Sequence, residues 1–124
     1  MAHKIAIIED DLALLQMYQL KFEAAGFTVK TAANGLEGLE LLKNFPADLV
    51  LLDLMMPQMG GYEMLSKLRQ SKDGKAVKVI VLTNIGEQEI PKGLQDLDVT
   101  EIVLKAYHTP SQMLEKVEHV LSHK

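Results

Sequence analysis

Residues 48–61 read DLVLLDLMMPQMGG. A continuous apolar run, Leu49 to Leu52, stops at the carboxylate of Asp53 and then turns away through two methionines, a proline and two glycines. An apolar run of strand length without alternation suits a strand buried on both faces, the central kind in a parallel sheet. Such a strand has no reason of its own to end on a charge. Either Asp53 is a solvated end cap, or a charge is wanted at that edge.

Working outward from this strand, the chain alternates. Lys4-Ile5-Ala6-Ile7-Ile8 reads as a short buried strand. Residues 11–25 read as a helix, with Leu14, Leu15, Tyr18 and Phe22 at helical spacing and Gly26 as its stop. Phe27, Val29 and Thr31 alternate with Thr28 and Lys30, which predicts a strand with one wetter side. Asn34 is placed to cap a second helix carrying Leu36, Leu39, Leu42 and Lys43, ending near Pro46. After the strand 48–53 come a helix over 62–70 and another two-sided strand over 77–83. Residues 87–96 make a poor helix, because Pro91 and Gly93 sit inside it. A fifth strand covers 101–105. The last helix has the clearest start, with Thr109 at N-cap, Pro110 at N1 and Gln112 at N3. Its apolar stripe is Met113, Leu114, Val117, Val120 and Leu121.

Five strands alternating with five helices predict an α/β fold of the flavodoxin-like (βα)5 type. This is a doubly wound sandwich with a five-stranded parallel sheet of order 2-1-3-4-5 and helices on both faces. Ligands in such sheets bind beyond the carboxyl ends of the strands, at the switch point between strands 1 and 3.

The bulk properties narrow the function. A chain of 124 residues fits one domain, expected over 1–124 with no effector domain present. Its 48% hydrophobic and 24% charged content is that of an ordinary globular protein. A net charge of −4 argues against a nucleic-acid surface, which is usually basic. No window approaches the roughly 20 apolar residues of a membrane span, and no signal peptide opens the chain, so a cytoplasmic protein is the default. With no cysteine, disulfide and thiol chemistry are excluded.

The strand ends then answer for Asp53. Strand 1 runs into Glu9-Asp10-Asp11 and strand 3 into Asp53, so neighbouring strands would bring three or four carboxylates to one edge. Like charges about 4 Å apart repel by roughly 1–4 kcal/mol per pair at surface-like dielectric. A hard divalent cation relieves that repulsion. Mg²⁺ prefers one or two carboxylates, waters and a phosphate to a full protein cage. Asp11 reads instead as the N-cap of the first helix. Strand 4 ends on the hydroxyl of Thr83 and strand 5 on the ammonium of Lys105. A metal site, a nucleophilic carboxylate, a hydroxyl and an ammonium around one point suit phosphoryl transfer to a carboxylate.

In order and spacing, IIEDD, LVLLDLMMPQMGGYE, VIVLTN and VLK resemble the receiver domain of two-component response regulators, over the whole chain. The resemblance implies a signalling switch rather than an enzyme. Asp53 would be the phospho-acceptor, taking a phosphoryl group from a phosphohistidine of a sensor histidine kinase or a phosphotransfer protein. Asp10, Asp53 and the Met55 backbone carbonyl would hold Mg²⁺, with Glu9 acting through water. Lys105 would pair with the acyl-phosphate oxygens, and Thr83 would move to bond the phosphoryl group. Pro57 would fix the turn that holds the Met55 carbonyl inward, and Gly60-Gly61 would let the backbone swing into the third helix free of a Cβ penalty. A downstream protein would read the face of the fourth helix, fifth strand and fifth helix, and relatives also form homodimers there.

Four positions depart from the pattern the resemblance implies. Gly60 stands where an aspartate is common, so the third helix should be weakly capped. Ile102 stands where an aromatic switch residue is common. Ala106 replaces a proline often preceded by a cis bond, so a trans bond is expected. Asn84 replaces a small residue and would crowd the site or bond to the phosphoryl group. His119 and His123 stand four apart near a helix C-terminus, where a solvated place is expected, and His3 and His108 are unremarkable. Three other readings compete. A haloacid-dehalogenase-type phosphatase needs a second acid where Met55 stands. A flavodoxin-type carrier wants a hydroxyl-rich loop where Glu9-Asp10-Asp11 stands. A receiver-like module that is never phosphorylated remains compatible with Ile102 and Ala106.

Overall fold

The computed structural model describes residues 3–72, 74–84 and 89–122. Its sheet is built from β1 (Lys4–Ile8), β2 (Thr28–Ala32), β3 (Leu49–Asp53), β4 (Lys78–Thr83) and β5 (Glu101–Leu104). All pairings are parallel and the order is β2-β1-β3-β4-β5. The expected topology and strand order are those observed. The α-helices are α1 (Leu12–Ala24), α2 (Gly35–Asn44), α3 (Gly61–Gln70) and α4 (Pro110–Ser122).

Period-two alternation along the strands divides the core in two. Ala6, Ile8, Val50, Leu52, Val79 and Val81 face α2 and α3 with Met64, Leu65 and Leu68. Ile5, Ile7, Leu49, Leu51, Ile80 and Leu82 face α1 and α4 with Tyr18, Phe22, Met113 and Val117. Every residue of β3 is buried, which is why its sequence shows no wet side.

Local signals explain most element ends. Asp11 accepts from Leu14 N at 3.2 Å, Asn34 from Glu37 N at 2.9 Å, and Thr109 and Gln112 form the reciprocal box at 3.2 and 2.8 Å. Gly26 ends α1 with φ +99°. Gly60 makes no side-chain cap, so α3 opens uncapped. Gly61 is needed for a different reason than turn freedom: a Cβ there would strike the backbone oxygen of Asp53. The positive φ in this turn belongs instead to Gln58, at +67°.

Some expectations change. The fourth helix is a short 3-10 segment, Lys92–Leu97, opened by Pro91; residues 87 and 88 lie outside the described residues. Pro91, at φ −55° and ψ 133°, interrupts the expected helix just before Lys92, and Asp98 ends the segment in the left-handed region at φ 56°. Lys105 leaves the strand and opens a 3-10 turn, Lys105–Tyr107. Leu36 is half exposed rather than in the apolar stripe of α2.

Candidate functional site

The strand ends place the predicted residues at one edge. Ile8 pairs with Leu52, Asp53 with Leu82 and Thr83 with Leu104, so β1, β3, β4 and β5 finish at nearly the same level. Glu9, Asp53 and Lys105 continue the alternation of Ile7, Leu51 and Val103, which puts all three on the α1–α4 side. They meet there. Lys105 Nζ lies 2.6 Å from Glu9 Oε1 and 3.1 Å from Asp53 Oδ2. Glu9 is fully buried and Asp53 nearly so, whereas Asp10 is exposed.

Carboxylate oxygens of Glu9, Asp10 and Asp53 lie within 4.8 Å of one another. Neighbouring backbone N–H groups help to orient two of them: Asp11 N donates to Glu9 Oε2 at 3.1 Å, and Met55 N to Asp53 Oδ1 at 3.3 Å. Thr83 is fully buried at the end of β4, one residue beyond the partner of Asp53. Met55 turns its side chain into solvent. The structure therefore gathers Glu9, Asp10, Asp53 and Lys105 directly, with Thr83 and Met55 on the adjoining strand end and turn.

The electrostatics are unbalanced. Three carboxylates face one ammonium, which leaves two negative charges. Glu9 Oε1 is buried and has no aligned hydrogen-bond donor, only the ion pair with Lys105. Burial and the neighbouring Glu9 push the Asp53 carboxyl up to about 7, although Lys105 pulls it back. Burial lowers the Lys105 ammonium, but Glu9 and Asp53 outweigh it and leave its pKa above the ordinary lysine value. Tyr18 is pushed up to about 12 by burial and by Glu9. A hard divalent cation fits this donor set, because it supplies two positive charges to oxygen ligands already clustered.

Three features escaped the sequence reading. Glu9 pairs directly with Lys105, a contact that needs the register of β1 against β5 across β3 and β4. Buried Asn34, besides capping α2, reaches Gln58 Oε1 in the turn after β3 at 3.3 Å. Arg69 donates to the carbonyls of Leu97, Gly74, Val77 and Asp98 at 2.7–2.9 Å. Its uniqueness, as the chain's single arginine, was the available signal.

Comparison with known proteins agrees with this geometry. A family model described as the response regulator receiver domain matches residues 5–118, and the chain belongs to that family. It is 36% identical over 114 residues to the phosphate regulon transcriptional regulatory protein PhoB of Rhizobium meliloti (strain 1021), covering 91% of this chain and 50% of that protein. It is 40% identical over 86 residues to the probable transcriptional regulator ycf29 of Pyropia yezoensis, covering 69% of this chain and 39% of that protein. The chain thus spans about half, or less, of the length of these curated relatives. A CheY-like receiver domain protein from Methanospirillum hungatei JF-1 superposes with a TM-score of 0.88 at 29% identity, covering 98% of this chain and 95% of that one. The chemotaxis response regulator CheY4 of Vibrio cholerae gives 0.87 at 25% identity, covering 97% and 99%. Receiver domains are phosphorylation-based signalling switches of two-component systems, and the family binds Mg²⁺ at its acidic pocket. Among the described residues no helix is long and apolar enough to cross a membrane.

Proposed function

We propose that this chain, as a single receiver domain, takes a phosphoryl group onto Asp53 from a phosphohistidine of a sensor histidine kinase or a phosphotransfer protein. The observation that carries the reading is the buried Asp53 carboxyl held 3.1 Å from Lys105 Nζ beside Glu9 and Asp10. Asp10, Asp53 and the Met55 carbonyl would hold Mg²⁺, with Glu9 acting through water, and the ion would supply positive charge to the phosphoryl oxygens. Asp53 Oδ attacks phosphorus, and the bond from phosphorus to the donor nitrogen breaks with its electron pair going to that nitrogen. Lys105, freed from part of its pairing with Asp53, turns its charge to the phosphoryl oxygens. Thr83 bonds the transferred group and reports it.

The output face is the Lys92–Leu97 segment, β5 and α4, where Ile90, Gln95, Ile102 and Tyr107 line a groove of about 850 Å³. A downstream protein, or a second copy of the chain, docks there. These residues contact no nucleic acid directly and act in the cytoplasm. Asp53 phosphorylation shifts a pre-existing equilibrium of this face.

The test is intact mass after incubation with Mg²⁺ and acetyl phosphate. One added phosphoryl group that requires Mg²⁺ and disappears in Asp53→Asn supports the reading. An equal gain in Asp53→Asn would refute Asp53 as the acceptor.

A further inference from the structure

Helix α2 sets glycines rather than leucines on the sheet. Gly35 and Gly38 are its buried residues, and a Cβ on Gly38 would strike the side chain of Ile8 in β1. This close approach leaves the leucines to the flanks of the helix. Leu36, Leu39 and Leu42 recur every third residue along one flank, Leu36 half exposed and the other two half-buried. That flank, the end of α3 and the loops entering β3 and β4 form an open groove of about 820 Å³. Ala47 and Val77, which precede β3 and β4, line it, so it reaches the amino ends of the strands, away from Asp53 at their carboxyl ends. It also lies on the sheet face opposite α1 and α4.

The walls are apolar and the rim is basic, in a chain whose net charge is −4. Lys43, Lys67 and Lys72 stand exposed there, against Glu40 as the only acid among the described residues of the lining. Glu40 pairs with Lys43 at 3.1 Å, which leaves Lys67 and Lys72 without an ion pair among the described residues. The carbonyls at the end of α3 account for Lys67 in its last turn. Lys72 stands beyond the helix, where that dipole fades.

Shape and charge select the occupant. The edge strands of the sheet are β2 and β5, so a segment seated here gains no strand pairing. A helix flank with leucines at period three instead accepts the i, i+3, i+4 and i+7 row of another helix. Acids beside that row meet Lys67 and Lys72, whereas bases there meet like charge. We infer that the groove between α2 and α3 seats an amphipathic helix of a partner protein whose apolar stripe is flanked by aspartate or glutamate. The inference does not rest on the phosphotransfer reading, because the groove leaves Asp53, α1 and the β5–α4 face free.

The probe is a side-chain-crosslinked helical peptide with leucines at i, i+3, i+4 and i+7 and glutamates beside them. Its counterpart carries lysines in place of the glutamates. Each is titrated into the ¹⁵N-labelled chain and followed by amide shifts, beside Leu36→Gln and the double variant Lys67→Glu, Lys72→Glu. All three positions are exposed, so the variants keep the folded spectrum. The glutamate peptide should give saturable shifts over 36–47 and 67–77, and bind at least about fivefold tighter than the lysine peptide, the scale of two exposed ion pairs. The double variant should reverse that preference. Leu36→Gln should weaken the glutamate peptide about threefold without changing its salt dependence. No saturable shift up to about 1 mM peptide, equal affinity for the two peptides, or shifts confined to other faces would overturn the inference. Groove shifts that follow protein concentration without peptide would overturn it too, by giving the groove to a second copy of the chain.

Discussion

The two sides of the sheet edge are held by different means. Around β1 and β3, the segments are tied by side chains: Asp11 caps α1, and Asn34 caps α2 while bonding to Gln58 in the turn beyond β3. Around β4 and β5, the Lys92–Leu97 segment has no side-chain cap and is fixed to α3 largely through Arg69 and the fit of Gly93 against Tyr62. The clustered carboxylates stand on the tied side. On the other side α4 is capped by Thr109 and Gln112 and joined to β5 through Lys116 and Glu101. The lightly tied part of the expected output face is therefore the Lys92–Leu97 segment. A switch needs that asymmetry, because a rigid acceptor keeps its geometry while a weakly held neighbour changes at small free-energy cost.

The largest effect should come from Asp53, the proposed acceptor. The folded-state pKa of Asp53 is about 7 against an ordinary 3.8, so the metal-free native state binds this proton more tightly than the unfolded chain. Stability from this group is therefore full below about pH 4 and is lost as pH rises toward 7. In chelator, urea unfolding between pH 4 and 8 should show the natural chain weakening with rising pH and Asp53→Asn weakening much less. Parallel slopes would contradict the burial argument.

Arg69→Ala should come next, because it strips four carbonyls of a half-buried cation and should cost about 2–3 kcal/mol in urea unfolding. Amide exchange should rise first over residues 92–98. A loss spread evenly over the sheet would mean that the two sides are not held separately. Asn34→Ala removes a helix cap on the tied side and should cost about 1 kcal/mol. The smallest effect is a gain. Gly60→Asp would give α3 the cap it lacks, about 0.5 kcal/mol, since its Cβ would sit 3.1 Å from the Leu54 carbonyl and offset part of the benefit.

How much of this could be read in the sequence follows the same division. Unbroken apolar strands, cap residues and the acids after β1 and β3 are local signals, and they sufficed for the topology and for the gathering of Glu9, Asp10, Asp53 and Lys105. Gly61 looked like turn punctuation, but its reason is a backbone contact with Asp53 that only the folded turn creates. Pro91 and Gly93 warned of a poor helix; the hold of Arg69 in α3 on the Leu97 and Asp98 carbonyls at the segment's end is a tertiary contact that no local signal announces. The groove between α2 and α3 needs two helices and two loops together, and no spacing in one dimension records that.

The most direct test of the asymmetry is amide exchange by mass spectrometry on the Mg²⁺-loaded chain, with and without acetyl phosphate, after intact mass has established full phosphorylation. The account predicts that protection changes over residues 89–104 while β1, α2 and β3 stay as they were. Unchanged protection over 89–104, or an equal change on both sides, would contradict it.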